Sequence, residues 1–141
     1  MKDFQSYYML FSCEDLCIRI LKEVREQSGM LCEKCGNASH YWKTDKKKYE
    51  CKKCNYRSSL KKDTVMENSN LPLRYWLSVI AYLSHARGKV SALQIQKELQ
   101  HNRYEPILRM VTRIKGMPES DCLRQRILHF LTTEAGYASH W

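Results

Sequence analysis

Two Cys-x-x-Cys pairs, Cys32/Cys35 and Cys51/Cys54, stand fifteen residues apart, and no other feature narrows the folding options of this chain so sharply. Four thiolates delivered in two such pairs satisfy a tetrahedral Zn²⁺, and the intervening length suits two short antiparallel strands that return the second pair to the first. The expectation is a four-cysteine zinc ribbon in which Cys32, Cys35, Cys51 and Cys54 hold one structural zinc ion. Each pair must bend its backbone so that both sulfurs, and the amide N–H groups that bond to them, face one ion. The residue after the second Cys of each pair therefore favours a left-handed conformation, and Gly36 and Asn55 occupy those positions. A reduced thiol cluster or a redox pair competes with this reading, but such motifs seldom come as two matched pairs at ribbon spacing. His40 is a further candidate ligand; four cysteines already close a tetrahedral site, so a structural or surface role is expected for it.

A ribbon this small buries too little apolar surface to fold without its metal, so zinc is structural first. The 141-residue chain carries a formal charge of +9, which points to an anionic partner. Nucleic acid ranks ahead of a membrane surface because the sequence has no strongly amphipathic basic helix flanked by Trp or Phe. No signal-peptide pattern and no spanning apolar run is seen, and a cytoplasmic, nucleoid-associated protein is expected. The other three cysteines, Cys13, Cys17 and Cys122, fall in helical contexts, where a free Cys is most often a small buried hydrophobe.

Composition and periodicity divide the chain into an N-terminal segment and helix (1–29), the ribbon (30–62), a polar connector (63–70), a helix-turn-helix bundle (71–116) and a C-terminal helix and tail (117–141). The fold class is thus small α+β: an N-terminal helix, a three-stranded antiparallel ribbon and a helical bundle. Residues 1–11 are aromatic and pack on the ribbon or on a partner. Ser12 and Asp15 open a helix whose Leu16, Ile20, Leu21 and Val24 recur at helical spacing until Ser28-Gly29. In the ribbon, strands are expected at His40–Trp42, Lys48–Cys51 and Tyr56–Leu60, with Asp45-Lys46-Lys47 at the first turn.

Between positions 43 and 62 stand Lys43, Lys46, Lys47, Lys48, Lys52, Lys53, Arg57, Lys61 and Lys62, against Asp45 and Glu50 alone. A solvated face is the plain explanation for such lysines. Their density, interleaved with Tyr41, Trp42, Tyr49 and Tyr56, favours contact with phosphates.

Asn70 and Pro72 mark the start of a helix in which Leu73, Trp76, Leu77, Ile80 and Leu83 make one broad buried face, ending near Arg87-Gly88. Ser91 and Gln94 form a capping box for a short helix with Ala92, Ile95 and Leu99 inward. After a turn at Gln100–Arg103, a third helix begins near Glu105-Pro106, with Ile107, Met110, Val111 and Ile114 inside and Gly116 at its end. Arg109, Thr112 and Arg113 share the opposite face, with Arg103 and Lys115 at its two ends. That is the arrangement of a helix-turn-helix, although a three-helix bundle with a charged exterior has the same pattern. A last helix, capped by Ser120, points Cys122, Leu123, Ile127, Phe130 and Leu131 one way. Its apolar side at 119–133 offers a homodimer interface. His85, His101, His129 and His140 are scattered and form no ligand motif.

Order and spacing together resemble the N-terminal half of bacterial insertion-sequence transposases. CEKCG, the basic hairpin closing on CKKC, TVMENSNLPLRYWLSVI, SALQIQKELQ and RMVTRIK carry the likeness, over roughly residues 10–116. In those enzymes a zinc ribbon and helix-turn-helix precede a ribonuclease-H-like domain with an acidic triad. The resemblance implies that ribbon and helices bind double-stranded DNA at an element's end, with Cys32, Cys35, Cys51 and Cys54 at the metal positions. The sequence departs from the pattern at His101-Asn102-Arg103-Tyr104, where a small Gly-x-Ser/Thr entry is expected. It departs again after residue 116, where Glu119, Asp121 and Glu134 are too few and too local to converge on two divalent ions. A DNA-binding protein without catalytic activity is therefore expected. The alternative is a protein–protein interaction module of a transposition or transcription complex, docking a catalytic transposase or another protein subunit through Tyr7, Tyr8, Phe11 and the aromatic ribbon face.

Overall fold

The computed structural model describes residues 3–86 and 89–134, which form six α-helices and one three-stranded antiparallel sheet. The small α+β class expected from the sequence is what they form. The helix end at Arg87-Gly88, the tail beyond Glu134 and His140 lie outside the described residues.

The helices gather around α3 (Leu73–His85), against which α1 (Phe4–Leu10), α2 (Glu14–Gln27), α5 (Tyr104–Lys115) and α6 (Cys122–Thr133) all pack. Six consecutive α3 residues, Trp76 to Ala81, are buried. Periodicity alone implied a single buried face; a helix covered all round needs neighbours on every side, and α1 and α6 supply them from the two ends of the chain. The helix begins two residues later than expected, with Pro72 at the N-cap. Ser69, rather than Asn70, serves the local polar groups: its hydroxyl accepts from the Leu71 N–H at 3.1 Å and the Trp76 indole N–H at 3.2 Å.

Most of the aromatic N-terminus is part of the core. Asp3 caps α1 by accepting from the Ser6 N–H at 3.0 Å, and Phe4, Tyr7 and Phe11 are buried. Phe4 meets Tyr82 edge-on at 5.6 Å, and Phe11 lies 5.5 Å from Phe130. Arg74 lies 3.5 Å over the Tyr8 ring and donates to the Tyr8 carbonyl at 2.9 Å. In α6, Leu123, Ile127, Phe130 and Leu131 are buried against α2 and α3, so the apolar side assigned to a second copy is already covered within the chain. Asp121, not Ser120, caps α6, and Cys122 faces solvent. Cys13 is likewise exposed at the start of α2, where it takes the N-cap position expected one residue earlier at Ser12; Cys17 alone of the three is buried. Burial pushes the Cys17 thiol up to about 12, so it packs as a neutral hydrophobe.

The sheet is a meander of β1 (His40–Lys43), β2 (Lys48–Cys51) and β3 (Arg57–Ser59). Register pairs Trp42 with Tyr49 and Tyr41 with Glu50. Strand alternation then places Trp42, Tyr49 and Cys51 on one face and Tyr41, Lys43, Lys48, Glu50 and Arg57 on the other. The first face docks on α2. Tyr49 is buried, its hydroxyl donates to Glu26 at 3.1 Å, and Lys22 stands 4.8 Å over the Trp42 ring. Tyr49 and Leu60 thereby join the same hydrophobic cluster as the helices.

Candidate metal centre and basic surface

The four sulfur atoms of Cys32, Cys35, Cys51 and Cys54 lie within 4.8 Å of one another. Two sulfur pairs, Cys32 with Cys54 and Cys35 with Cys51, are 3.5 Å apart, and all four cysteines are free thiols. Ligands about 2.3 Å from a tetrahedral zinc ion would stand about 3.8 Å from each other. The cage is therefore of the right size and donor type for one such cation. Each non-bonded pair joins a Cys from the first motif to one from the second, so an ion at the centre ties the two knuckles together.

The two knuckles repeat one geometry. The Gly36 N–H donates to the Cys32 carbonyl at 2.8 Å, and the Asn55 N–H to the Cys51 carbonyl at 3.0 Å. The Cys32 N–H reaches the Asn37 carbonyl at 2.8 Å, matched by Cys51 to Tyr56 at 2.9 Å. Gly36 (φ 77°) and Asn55 (φ 65°) take the left-handed conformation that the turn demands. The open side of each turn then aims N–H groups at sulfur: Cys35 N–H at Cys32 Sγ (3.5 Å) and Lys53 N–H at Cys51 Sγ (3.4 Å).

These donors act on thiol ionisation. The N–H groups of Cys54 and Lys53, opposed by desolvation and helped by the Cys35 thiol and the Asn37 amide, bring Cys51 down to about 6. Desolvation works against ionising Cys32, yet N–H groups of Cys35 and Lys34 hold its thiol below the ordinary range. For Cys35 the Asn37 N–H favours the thiolate, but desolvation and the three neighbouring sulfurs outweigh it and push the thiol up to about 12. Thiols lowered at Cys51 and Cys32, with two further sulfurs beside them, make a donor set suited to a cation. Asn37 was not foreseen as a supporting residue; its side chain also reaches Cys51 Sγ at 3.7 Å, and its position directly after the knuckle glycine is the signal that points to it. His40 stands outside the cage, its Nδ1 3.3 Å from the Ala38 carbonyl oxygen, as expected.

The basic residues of 43–62 divide into three groups. Lys46, Lys48 and Lys53 are exposed and make no side-chain ion pair among the described residues. Lys43 and Arg57 flank Glu50 at 3.4 and 3.0 Å, Lys47 meets Glu14 at 2.9 Å, and Lys52 lies 5.0 Å over the exposed Tyr41 ring. Lys61 and Lys62 hold the ribbon to the connector. The Lys61 ammonium donates to the carbonyls of Ser69 at 2.8 Å and Leu71 at 3.4 Å, and burial lowers its pKa. Lys62 bridges Glu33 at 3.1 Å and Glu67 at 3.2 Å.

The segment expected to form a helix-turn-helix consists of α4 (Ala92–Leu99), a turn and α5. Both bonds of the capping box are made, Gln94 N–H to Ser91 Oγ at 3.1 Å and Ser91 N–H to Gln94 Oε1 at 2.7 Å. Gln100 takes the left-handed position (φ 54°) that closes α4, and the His101 N–H returns to the Gln96 carbonyl at 3.2 Å. The Gln96 amide donates to the His101 carbonyl at 3.0 Å, and Tyr75 hydrogen-bonds the His101 ring at 3.2 Å, so the turn is fixed to α3 without a glycine. On α5, Ile107, Met110, Val111 and Ile114 are buried as expected, and Arg103, Arg109, Thr112, Arg113 and Lys115 are exposed. Leu108 and Tyr104 lie on the exposed side as well. Arg109 keeps a loose pairing with Glu105 at 3.9 Å, while Arg113 donates to the Glu67 carbonyl at 2.9 Å and Lys115 to the Val90 carbonyl at 2.7 Å. Sequence reasoning saw the charge of Lys61, Arg113 and Lys115 but not these main-chain acceptors, which only the folded connector and turns bring near.

No helix among the described residues is long and apolar enough to cross a membrane. Comparison with family models, curated proteins and solved structures returned no match.

Proposed function

We propose that this chain is a zinc-dependent protein that binds double-stranded DNA without catalysing a reaction on it. One Zn²⁺ held by Cys32, Cys35, Cys51 and Cys54 fixes the ribbon, whose outward Lys46, Lys48 and Lys53 contact phosphates. The α5 helix enters the major groove. Its exposed Arg109 and Thr112, ahead of an apolar inner stripe, are the observation that supports this most directly. An Arg fork can grip a guanine edge with two hydrogen bonds, and a threonine can contact a thymine methyl or a phosphate. The likeness to transposase N-terminal halves supports an origin in such an element and a target at a transposon end. The acidic residues Asp121 and Glu134 are occupied in capping α6 and in pairing with Arg19 and Arg126, which fits a binding role. A protein-interaction role through the N-terminal aromatics has less support, because Tyr7 and Phe11 are buried, while Tyr41 and Tyr56 of the ribbon stay exposed.

Selection from a random duplex pool with the zinc-loaded protein tests the proposal. An enriched motif whose affinity falls steeply with salt is expected. Failure to retain any duplex at low salt would overturn it.

A further inference from the structure

A groove of about 610 Å³ runs between connector 63–70 and α5. One wall carries Arg103, Arg109 and Arg113, with Glu105 the only acid; the other carries Asn68 and Asn70, and Asn102 stands at the end. None of the three asparagine side chains makes a hydrogen bond within the described residues, and all three are exposed. Their amides are therefore available donors.

The connector wall is braced by hydrogen bonds. Lys61 grips the carbonyls of Ser69 and Leu71, Arg113 that of Glu67, and the Glu67 carboxylate accepts from the Asp63 N–H at 3.2 Å. Met66 is fully buried beneath it. A polar linker with no binding role needs neither this bracing nor a floor formed by Trp76 and Met110.

We infer that this groove holds one sugar-phosphate strand of the DNA duplex, which makes the connector part of the binding surface. The inference rests on α5 being a DNA-binding helix. A helix lying in the major groove has a phosphate backbone along each flank, and the connector stands on one flank of α5. Guanidinium groups on one side and neutral amide donors on the other are what a phosphodiester chain accepts, and the walls fix its register without reading bases. Three arginines against one carboxylate give the groove the sign that an anionic strand requires.

The test uses the full zinc-loaded chain and the selected duplex. Asn70→Asp with Asn102→Asp places two carboxylates in the walls without removing any hydrogen bond. Gln27→Glu with Ser120→Asp, two exposed residues away from the groove whose side chains make no hydrogen bond among the described residues, makes the same change in net charge, as the control. The wall variant is expected to bind at least about tenfold more weakly than the control, with a shallower dependence on salt because phosphate contacts are lost. Methylphosphonate linkages scanned along the duplex should then locate one stretch of one strand whose neutralisation weakens the parent protein but not the wall variant. Wall and control variants that bind alike, with the parent protein still binding DNA, would overturn the groove and leave the DNA-binding role standing. A parent protein that binds no duplex would overturn both.

Discussion

Arg25 of α2 donates from Nη1 to the carbonyl oxygens of both Ser59 and Leu60, each at 2.9 Å, at the point where the ribbon's last strand meets the helical core. The residue is 6 % exposed, and burial lowers its pKa, so the charge is kept inside the protein by these two acceptors and by the Tyr49 ring 5.6 Å away. Lys61, just after β3 in the chain, makes the matching contact with carbonyls of the connector. Cationic side chains bonded to main-chain carbonyls join the ribbon to both of its neighbours.

Arg25→Ala should therefore destabilise the folded protein by about 2–3 kcal/mol, the range for hydrogen bonds from a charged donor, here with the Leu60 carbonyl left buried. Denaturant titration of the zinc-loaded protein measures it. A change within about 0.5 kcal/mol, typical of a surface substitution, would show that the bonds do not matter to stability.

Arg109 and Arg113 should separate recognition from structure. Arg109→Ala removes an exposed side chain and should cost about 1–3 kcal/mol of binding to the selected duplex while leaving the melting temperature unchanged. Arg113→Ala also frees the Glu67 carbonyl, so binding and melting temperature should fall together. The double variant should lose preference for the selected sequence more than it loses total binding.

Chelation should act first on the ribbon. The Trp42 and Tyr49 rings are 4.9 Å apart on the face that docks on α2, whereas Trp76 is buried among helices. A strong chelator should change the emission of Trp42 and abolish DNA binding while most of the helical circular dichroism survives. To separate the signals, the experiment is repeated in Trp42→Phe with Trp141→Phe, which leaves Trp76 as the one tryptophan. An emission change that persists there would place the disturbance in the helices instead.

Metal uptake should release protons, because thiols must ionise to bind. At pH 7, Cys51, with its pKa brought down to about 6, has largely given up its proton, whereas Cys35, pushed up to about 12, retains one. Fewer protons than cysteines should leave at pH 7, and the number should decline as pH rises while the affinity for zinc increases. Calorimetric titration in buffers of different ionisation enthalpy counts them. A count that is independent of pH would contradict this electrostatic picture of the cage.

The four-cysteine cage and the α5 stripe were legible in the sequence because both depend on local spacing: Gly36 and Asn55 betray the knuckles, and Ile107, Met110, Val111 and Ile114 betray a buried helical face. The position of α3 was not, since its burial on all sides depends on α1 and α6, residues far from it in the chain. Local composition also marked 63–70 as polar linker, yet Met66 anchors it and Lys61 and Arg113 lend it their charges. A sequence shows which groups carry charge; it does not show which main-chain carbonyls will be left needing a donor. The same gap hid the fate of Tyr7 and Phe11, apolar side chains whose cover comes from α3 and α6.

Mass spectrometry of the protein under native conditions, after purification without added chelator, tests the central claim most directly. The account predicts a folded chain carrying one zinc ion, with the ion lost when Cys51 is changed to Ser. A well-folded chain that carries no metal, or whose mass shows Cys32, Cys35, Cys51 and Cys54 joined as disulfides, would contradict it.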